Sequence, residues 1–377
     1  MIYKFVVFSL VSNLFFSFVS NAEDLVIGHV TLWDGTGKPT IENAWVQVRK
    51  ARITGIGTGA PPSTNNFING SGQFLIPGLI DSHVHLGGGR IRAEKSEVTI
   101  EGDARRTAVL QDLHGYLYSG VTTVYDSGNL ANFIFPLREA ERTGEITSPR
   151  IFATGGVVAF PGGYGSGPGA TLVGSLDNFL ELNEHLDYEP DMVKFLLDPQ
   201  GRRGVPITPT FSYELLKQAI AHVHARNIRT TVHIPTEREA RMAIEAGVDA
   251  LAHPPARGLV SEEFANYAQE RNIPISTTLT VFGNIARVAE KPEIFDTGLY
   301  RATLSEEERN RQKTEERQRY ISSGMSSFFS RLLPAMMQNV YNLHSGGATL
   351  ALGTDRAHGP AVHQEFNLLA ESGIPPN

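Results

Sequence analysis

The stretch LIPGLIDSHVHLGGG, residues Leu75–Gly89, guides how the rest of the chain is interpreted. An apolar run breaks into glycines there, and His83 and His85 stand two residues apart just before the break. Alternate residues of a strand face the same side, so both imidazoles would point the same way. The pair is either two ordinary polar residues at a strand end or half of a metal site, and the HxH pattern alone does not decide. Asp81 and Ser82 are expected to be structural.

From residue 74 onward, short apolar runs alternate with helical segments. The runs are FLIPGLIDSHVHL, GVTTVYDSG, RIFATGGVV, DMVKFLLD, IRTTVHIPT, VDALAHPP, IPISTTLTV and ATLALGTD. Segments such as SYELLKQAIAHVHARN have apolar residues at helical spacing and a Gly or Asn at the C-terminal end. Eight runs separated in this way predict a (β/α)₈ TIM-type barrel over residues 74–377, with a doubly wound α/β sheet as the alternative. Residues 23–73, with turn signals between short strands, predict a small β layer before it.

The first residues and the composition limit where the protein works and what it binds. Residues 1–22 have one lysine, an apolar stretch and small residues before Glu23, which is the layout of a secretory signal peptide. We expect cleavage after Ala22, a periplasmic or secreted protein and no stable membrane anchor, with an uncleaved anchor helix as the alternative. No cysteine is present, which excludes disulfides and thiolate ligands. The net charge of −7 argues against nucleic acid as a partner, and a homo-oligomer is left open.

Polar residues at the ends of later apolar runs are candidate partners for the HxH pair. His233, His253 and Asp355 close the fifth, sixth and eighth runs, where barrel enzymes collect catalytic groups. Lys194 lies within the fourth run between apolar neighbours, and a buried ammonium is costly without a partner. It is therefore either in a salt bridge or converted to a carbamate that binds metal. Four histidines and an aspartate at matching depth favour the carbamate.

Together these residues resemble the amidohydrolase superfamily, in its imidazolonepropionase-like and prolidase-like branch. PGLIDSHVHL is similar to the family's strand-one metal motif, and HQEFNLLAESGIPP is similar to the helix after its metal-binding aspartate. The resemblance implies two divalent metal ions, with zinc expected. One ion would be bound by His83, His85 and Asp355, and the other by His233 and His253. Carboxylated Lys194 and a hydroxide would lie between the two ions. Asp355 would also be catalytic, moving a proton from the hydroxide to the leaving group.

The resemblance further implies an exported amidohydrolase that cleaves a C–N bond of a small-molecule substrate, a dipeptide or N-acyl amino acid, by attack of the bridging hydroxide. A lactonase or phosphotriesterase-type hydrolase is one alternative, and an inactive, truncated binding or structural protein is another. Thr236 stands where single-metal deaminases of the family have glutamate, with Glu237 one step further, which argues against deamination. The chain has no counterpart of the family's C-terminal strands, so we expect the small β layer to be incomplete.

Two connections stand out. Residues 155–174 are glycine-rich and contain Tyr164, and we expect a structureless solvent loop or a mobile lid. Residues 282–347, about 66 positions, contain the charged run LSEEERNRQKTEERQRY. This run is interpreted as a solvated helix with acid–base pairs at helical spacing, with a substrate-capping role as the alternative. The remaining histidines are expected to be helix or surface residues, among them His114, His222, His224 and His344.

Overall fold

The computed structural model describes residues 24–88, 104–199 and 207–375. The chain divides into two compact units between Pro77 and Gly78. No helix in these described ranges combines the length and apolar character needed to cross a membrane. The expected signal peptide at residues 1–22 lies outside the described residues and stays a prediction.

The first unit is a β layer. Its strands are β1 (Leu25–Leu32), β2 (Ile41–Arg49), β3 (Arg52–Thr58), β4 (Phe67–Asn69) and β5 (Phe74–Leu75). The first three are antiparallel neighbours, while β4 and β5 pair in parallel with β1. Every second residue of β1 is buried, and Val30 and Leu32 pack against Val46 of β2. The sequence assigned residues 74 and 75 to the barrel, but their pairing with β1 places them in this layer.

The second unit alternates strands and helices. Its strands are β6 (Leu79–Val84), β7 (Val121–Asp126), β8 (Arg150–Ala153), β9 (Val158–Ala159), β10 (Thr171–Leu172), β11 (Met192–Leu196), β12 (Arg229–His233), β13 (Ala250–Leu251), β14 (Ile275–Ser276) and β15 (Leu350–Ala351). Its helices are α1 (Ala104–Tyr118), α2 (Ala131–Arg142), α3 (Leu180–Leu186), α4 (Tyr213–His224), α5 (Glu237–Glu245), α6 (Glu262–Glu270), α7 (Leu279–Arg287), α8 (Gly298–Thr303), α9 (Glu306–Arg311), α10 (Arg317–Ser322), α11 (Met325–Ser345) and α12 (Ala361–Glu371). A 3₁₀ turn (Pro292–Asp296) and a π turn (Gln312–Glu316) interrupt the helical segment before α11.

The strands of this unit are parallel and, apart from β9 and β10, follow the order of the chain. They form two sheets, β6-β7-β8 and β10-β9-β11-β12-β13-β14-β15. Hydrogen bonds continue between the sheets at two places: the amide of Asp191 donates to Ala153 O (3.0 Å), and the amide of Ser82 donates to Leu352 O (2.8 Å). The eight strands other than β9 and β10 therefore succeed one another as in a TIM-barrel-type α/β fold.

Helix α4 shows how the sequence encodes these elements. Ser212 precedes it and accepts a hydrogen bond from the amide of Leu215, which caps the N-terminus. After the helix, Asn227 adopts the left-handed conformation (φ 57°) that ends many helices. Its buried face has the spacing expected of an amphipathic helix and consists of Leu215, Leu216, Ala219, Ile220 and Val223.

The glycine-rich connection 155–174 is not structureless, contrary to expectation. Val158–Ala159 and Thr171–Leu172 pair in parallel, and Val158 also pairs with Phe195 of β11. Val158 and Ala159 are completely buried. These strands could not be predicted, because each is two residues long and lies among glycines. Two residues are too few to show the alternation of apolar and polar positions that is typical of a strand.

The charged run is not a single solvated helix either. Within it α9, the π turn and α10 follow one another, and Glu308, Gln312 and Tyr320 are buried. The expected acid–base pairing is present, since Arg311 donates to Glu308 at 2.8 Å across three residues. The buried positions indicate that this segment packs against the barrel through part of its polar face.

Candidate metal centre

Two histidines from β6 and an aspartate from the end of β15 form the tightest part of the site. Nε2 of His85 lies 3.2 Å from Oδ1 of Asp355, and Nε2 of His83 lies 3.8 Å from the same oxygen. One ligand atom from each of these residues can be chosen so that all three lie within 4.8 Å of one another. This spacing suits one cation held by two imidazoles and a carboxylate.

The other three predicted residues adjoin this group. Nζ of Lys194, on β11, lies 3.0 Å from Nε2 of His83. The ring of His253 has its centroid 4.6 Å from that of His83 and 4.9 Å from that of His233. The fold therefore brings all six residues singled out in the sequence to one place at the carboxyl ends of the strands.

The protein orients three of the imidazoles through Nδ1. The partners are Ala252 O for His83 (2.9 Å), Gly128 O for His85 (2.7 Å) and Thr278 Oγ1 for His253 (2.9 Å). A carbonyl oxygen only accepts, so in His83 and His85 Nδ1 carries a hydrogen and Nε2 is the ring nitrogen that remains to bind a metal. Such contacts fix the tautomer and the ring orientation of histidines that bind metals.

Burial sets the charge of these ligands. It lowers the pKa of His83 and His253 well below the ordinary value, and it also lowers the pKa of His233, so the rings are neutral near pH 7. For Asp355 burial opposes ionisation, but the imidazoles of His83 and His85 beside it hold its pKa well below the usual range. Neutral imidazoles with an ionised carboxylate are a donor set that fits zinc and similar divalent ions.

Lys194 does not fit a metal site as an ammonium. It is only 3% exposed, and its positive charge is one of the influences that lower the pKa of His83 and His233. An ammonium has no lone pair and cannot bind a cation. A carbamate at Nζ would replace the positive charge with anionic oxygen atoms. Lys194 therefore fits the centre only after carboxylation.

The backbone at Asp355 is held in an unusual conformation. Its φ of 51° is left-handed, which costs a residue with a side chain of order 1–3 kcal/mol. Its amide donates to His83 O at 2.7 Å. The preceding Thr354 donates to Asp81 from its amide (3.0 Å) and from its hydroxyl (2.7 Å). The carboxyl group of Asp81, whose pKa burial raises to about 8, thus ties β6 to the turn that carries Asp355, the structural role expected of it.

Three residues near His233 were not assigned to the site from the sequence. The ring of Tyr164 stacks on His233, with centroids 5.0 Å apart and an angle of 22° between the planes. Oδ2 of Asp198 lies 3.6 Å from Nε2 of His233 and 3.5 Å from Nη2 of Arg257. Asp198 ends the run DMVKFLLD, and a polar residue at the carboxyl end of a barrel strand is a candidate for the functional site.

The two residues that argue against deamination in the sequence follow β12. Thr236 precedes α5, and its hydroxyl donates to Glu239. Glu237 accepts from Arg241 (2.8 Å) and from the amide of Ser261 (2.7 Å). Since Ser261 caps α6, these contacts use Glu237 to join α5 to α6.

Of the other histidines, those expected in helices are found there, in α1, α4 and α11. His358 has a role that its sequence context does not indicate. Its Nδ1 lies 3.4 Å from Oδ1 of Asp112 and its Nε2 lies 3.5 Å from Oε1 of Glu308, and all three side chains are buried. Burial alone would lower the pKa of His358, but the two carboxylates raise it. The ring therefore links the charged insertion to the turn after β15.

Comparison with known proteins places the chain in a family. Residues 74–374 match the sequence profile described as amidohydrolase family. Uncharacterized proteins of Mycobacterium tuberculosis and Mycobacterium bovis are each 25% identical over 221 residues, which is 58% of this chain and 55% of theirs. The alignment thus spans little more than half the length of these relatives.

Solved structures share the fold. A Xaa-Pro dipeptidase with bound methionine in the active site has a TM-score of 0.69 at 20% identity, over 93% of this chain and 84% of that one. The ochratoxinase of A. niger has a TM-score of 0.68 at 19% identity, over 93% and 80%. These likenesses confirm the TIM-barrel-type α/β fold. Because the family profile covers most of its length, the chain belongs to the amidohydrolase family.

Proposed function

We propose that the protein is an exported, metal-dependent hydrolase that cleaves the C–N bond of a dipeptide or an N-acyl amino acid. The convergence of four histidines, Lys194 and Asp355 at the strand ends is the observation that carries this proposal. Membership of the amidohydrolase family supports a hydrolase. The choice of substrate is supported by fold neighbours described as a Xaa-Pro dipeptidase and as a prolidase complexed with N-methylphosphonate-L-proline.

The proposed centre holds two divalent ions, with zinc expected. One ion would be held by His83, His85 and Asp355 and the other by His233 and His253. Lys194 would contribute as its carbamate. Ions bound there supply a water of lowered pKa and a Lewis acid for the carbonyl of the scissile bond. The three imidazoles tied through Nδ1 are held in place before any ion binds, which reduces the cost of assembling the site.

Asp355 is the proposed proton-transfer group. Its carboxylate is ionised and lies beside His83 and His85, so it can accept a proton where water is activated. Protonated, it is then placed to give that proton to the amine that leaves as the C–N bond breaks.

Export is proposed from the sequence of residues 1–22, with cleavage after Ala22 and release to the periplasm or the medium. The assay for localisation is the N-terminal sequence of the protein recovered from each cell fraction. A mature protein that begins at Glu23 outside the cytoplasm is expected, and an intact leader in the cytoplasm would contradict the proposal.

The activity is tested with the zinc-loaded protein and a panel of dipeptides and N-acyl amino acids, with amine release as the readout. We expect hydrolysis that is lost on chelation and in Asp355→Asn. Panels of lactones and phosphotriesters run in parallel, because the same ions can activate water against those electrophiles. A protein with two bound ions that hydrolyses no C–N substrate would refute the proposed reaction.

A further inference from the structure

Apart from the contacts that the six proposed ligands make with one another, His233 differs from the other histidines of the centre in which ring nitrogen the protein engages. In His83, His85 and His253 the engaged atom is Nδ1. In His233 the atom that faces a protein partner is Nε2, 3.6 Å from Oδ2 of Asp198. In two of the other rings a carbonyl oxygen faces Nδ1, whereas His233 faces an acid that is not itself a proposed ligand.

Asp198 is built into the wall of the site. It is only 3% exposed, and a buried carboxylate is costly unless charged or donor groups face it. Its Oδ2 lies 3.5 Å from the guanidinium of Arg257. Both residues are anchored through their backbones, because Thr208 donates to Asp198 O (2.9 Å) and the amide of Arg257 donates to Pro235 O (2.9 Å). The guanidinium of Arg257 and the anchored backbone therefore hold the carboxyl group of Asp198 next to His233.

We propose that Asp198 is a positioning residue that selects the tautomer of His233. A carboxylate only accepts, so the nitrogen that faces it carries the hydrogen, and a neutral ring has only one. Nε2 is then the donor, and Nδ1 of His233 keeps the lone pair that binds an ion. The distance of 3.6 Å shortens to a hydrogen bond of about 2.9 Å by a small movement of either side chain. The metal part of this inference rests on the proposed function.

The tautomer is tested first, in the metal-free protein, by ¹⁵N NMR of labelled histidine with the signals of His233 assigned from His233→Gln. We expect Nε2 to carry the hydrogen in the wild-type protein. We expect Asp198→Leu, which removes the acceptor at similar size, to give a mixture of tautomers. The same tautomer in both proteins would overturn the role of Asp198. This measurement needs no metal and no substrate.

Metal binding is tested second, by titration with zinc and with cobalt. We expect two ions in the wild-type protein, and in Asp198→Leu an affinity about 10- to 100-fold weaker for one ion, with the other unchanged. Asp198→Asn keeps an acceptor but loses the charge, so its affinity for that ion should lie between those of the wild-type protein and Asp198→Leu. If Asp198→Leu does not fold, wild-type affinity in Asp198→Asn refutes the inference.

The matched control is a second histidine–aspartate pair at the other end of β12. Oδ2 of Asp249 lies 2.8 Å from Nε2 of His224 and also accepts from the amide of Thr230. Asp249→Asn should lower stability without changing either metal affinity. If the wild-type protein binds no ion, the proposed function fails, and the tautomer measurement alone decides whether Asp198 orients His233.

Discussion

Replacing Asp81 tests whether one buried carboxyl group holds the turn that carries Asp355. Its Oδ1 accepts from the amides of His83 (3.2 Å) and Thr354 (3.0 Å), and its Oδ2 accepts from the Thr354 hydroxyl (2.7 Å). Asp81→Ala leaves the buried amide of His83 and the buried hydroxyl of Thr354 without an acceptor, and each costs about 1–3 kcal/mol. The amide of Thr354 keeps a second acceptor, His83 O at 3.2 Å. We therefore expect the free energy of unfolding to fall by roughly 2–6 kcal/mol, a large part of the total stability of an ordinary domain.

Asp81→Asn is the matched variant. The amide oxygen keeps both backbone donors, and the amide nitrogen donates to the Thr354 hydroxyl, which can rotate to accept. We expect a loss of less than about 1 kcal/mol, because only one hydrogen bond changes direction. Equal losses in the two variants would show that the acceptor atoms are not what stabilises the turn.

The assay for both variants is urea unfolding of the chelated protein, read as a shift of the midpoint at constant slope. Zinc titration of the same samples connects stability to the site. Since Thr354 precedes the strained Asp355, we expect Asp81→Ala to weaken the ion held by His83 and His85, and Asp81→Asn to bind it as the wild-type protein does. If Asp81→Ala is destabilised but binds zinc as the wild-type protein does, the fold of the turn does not determine the geometry of the ligands, and this prediction is wrong.

Three further predictions concern the same end of the barrel. Lys194→Ala should lose hydrolysis and regain part of it with added short carboxylates, and ¹³C NMR of wild-type protein in labelled bicarbonate should show a carbamate; full activity without added carboxylate would exclude the bridging role. The pKa of His358 is raised, so its pairing with Asp112 and Glu308 stabilises the fold fully below the ordinary pKa of 6.5 and is lost as pH rises through the raised value. The difference in stability between the wild-type protein and His358→Gln should therefore shrink with rising pH, which urea titrations at several pH values would measure. Gly353→Ala should cost about 1–3 kcal/mol and weaken zinc binding, because a Cβ there would lie 2.1 Å from Oγ of Ser276; calorimetry that finds no change in melting would contradict this.

The strand–helix alternation and all six candidate ligands could be predicted because they follow from local patterns. Apolar runs of strand length ended at His233, His253 and Asp355, and in a parallel barrel such ends meet. Lys194 was recognisable because an ammonium among apolar neighbours has to be explained. The roles of Asp198 and His358 depend on side chains brought together from distant segments, and one sequence contains no distances. The π turn was hidden because a single added residue leaves helical spacing almost unchanged.

The contacts around Asp355 give the charged insertion a role that its sequence did not suggest. Inside the barrel, Asp81 fixes the residue before Asp355. Outside, Tyr116 of α1 donates from its hydroxyl to the carbonyl of Arg356 at 3.0 Å. The insertion adds the buried Glu308 beside His358, three residues beyond Asp355. A backbone in the left-handed region persists only where its surroundings hold it there, so these contacts from separate parts of the chain account for the conformation of Asp355. The insertion thus supports the turn that presents Asp355, whether or not it also covers a substrate.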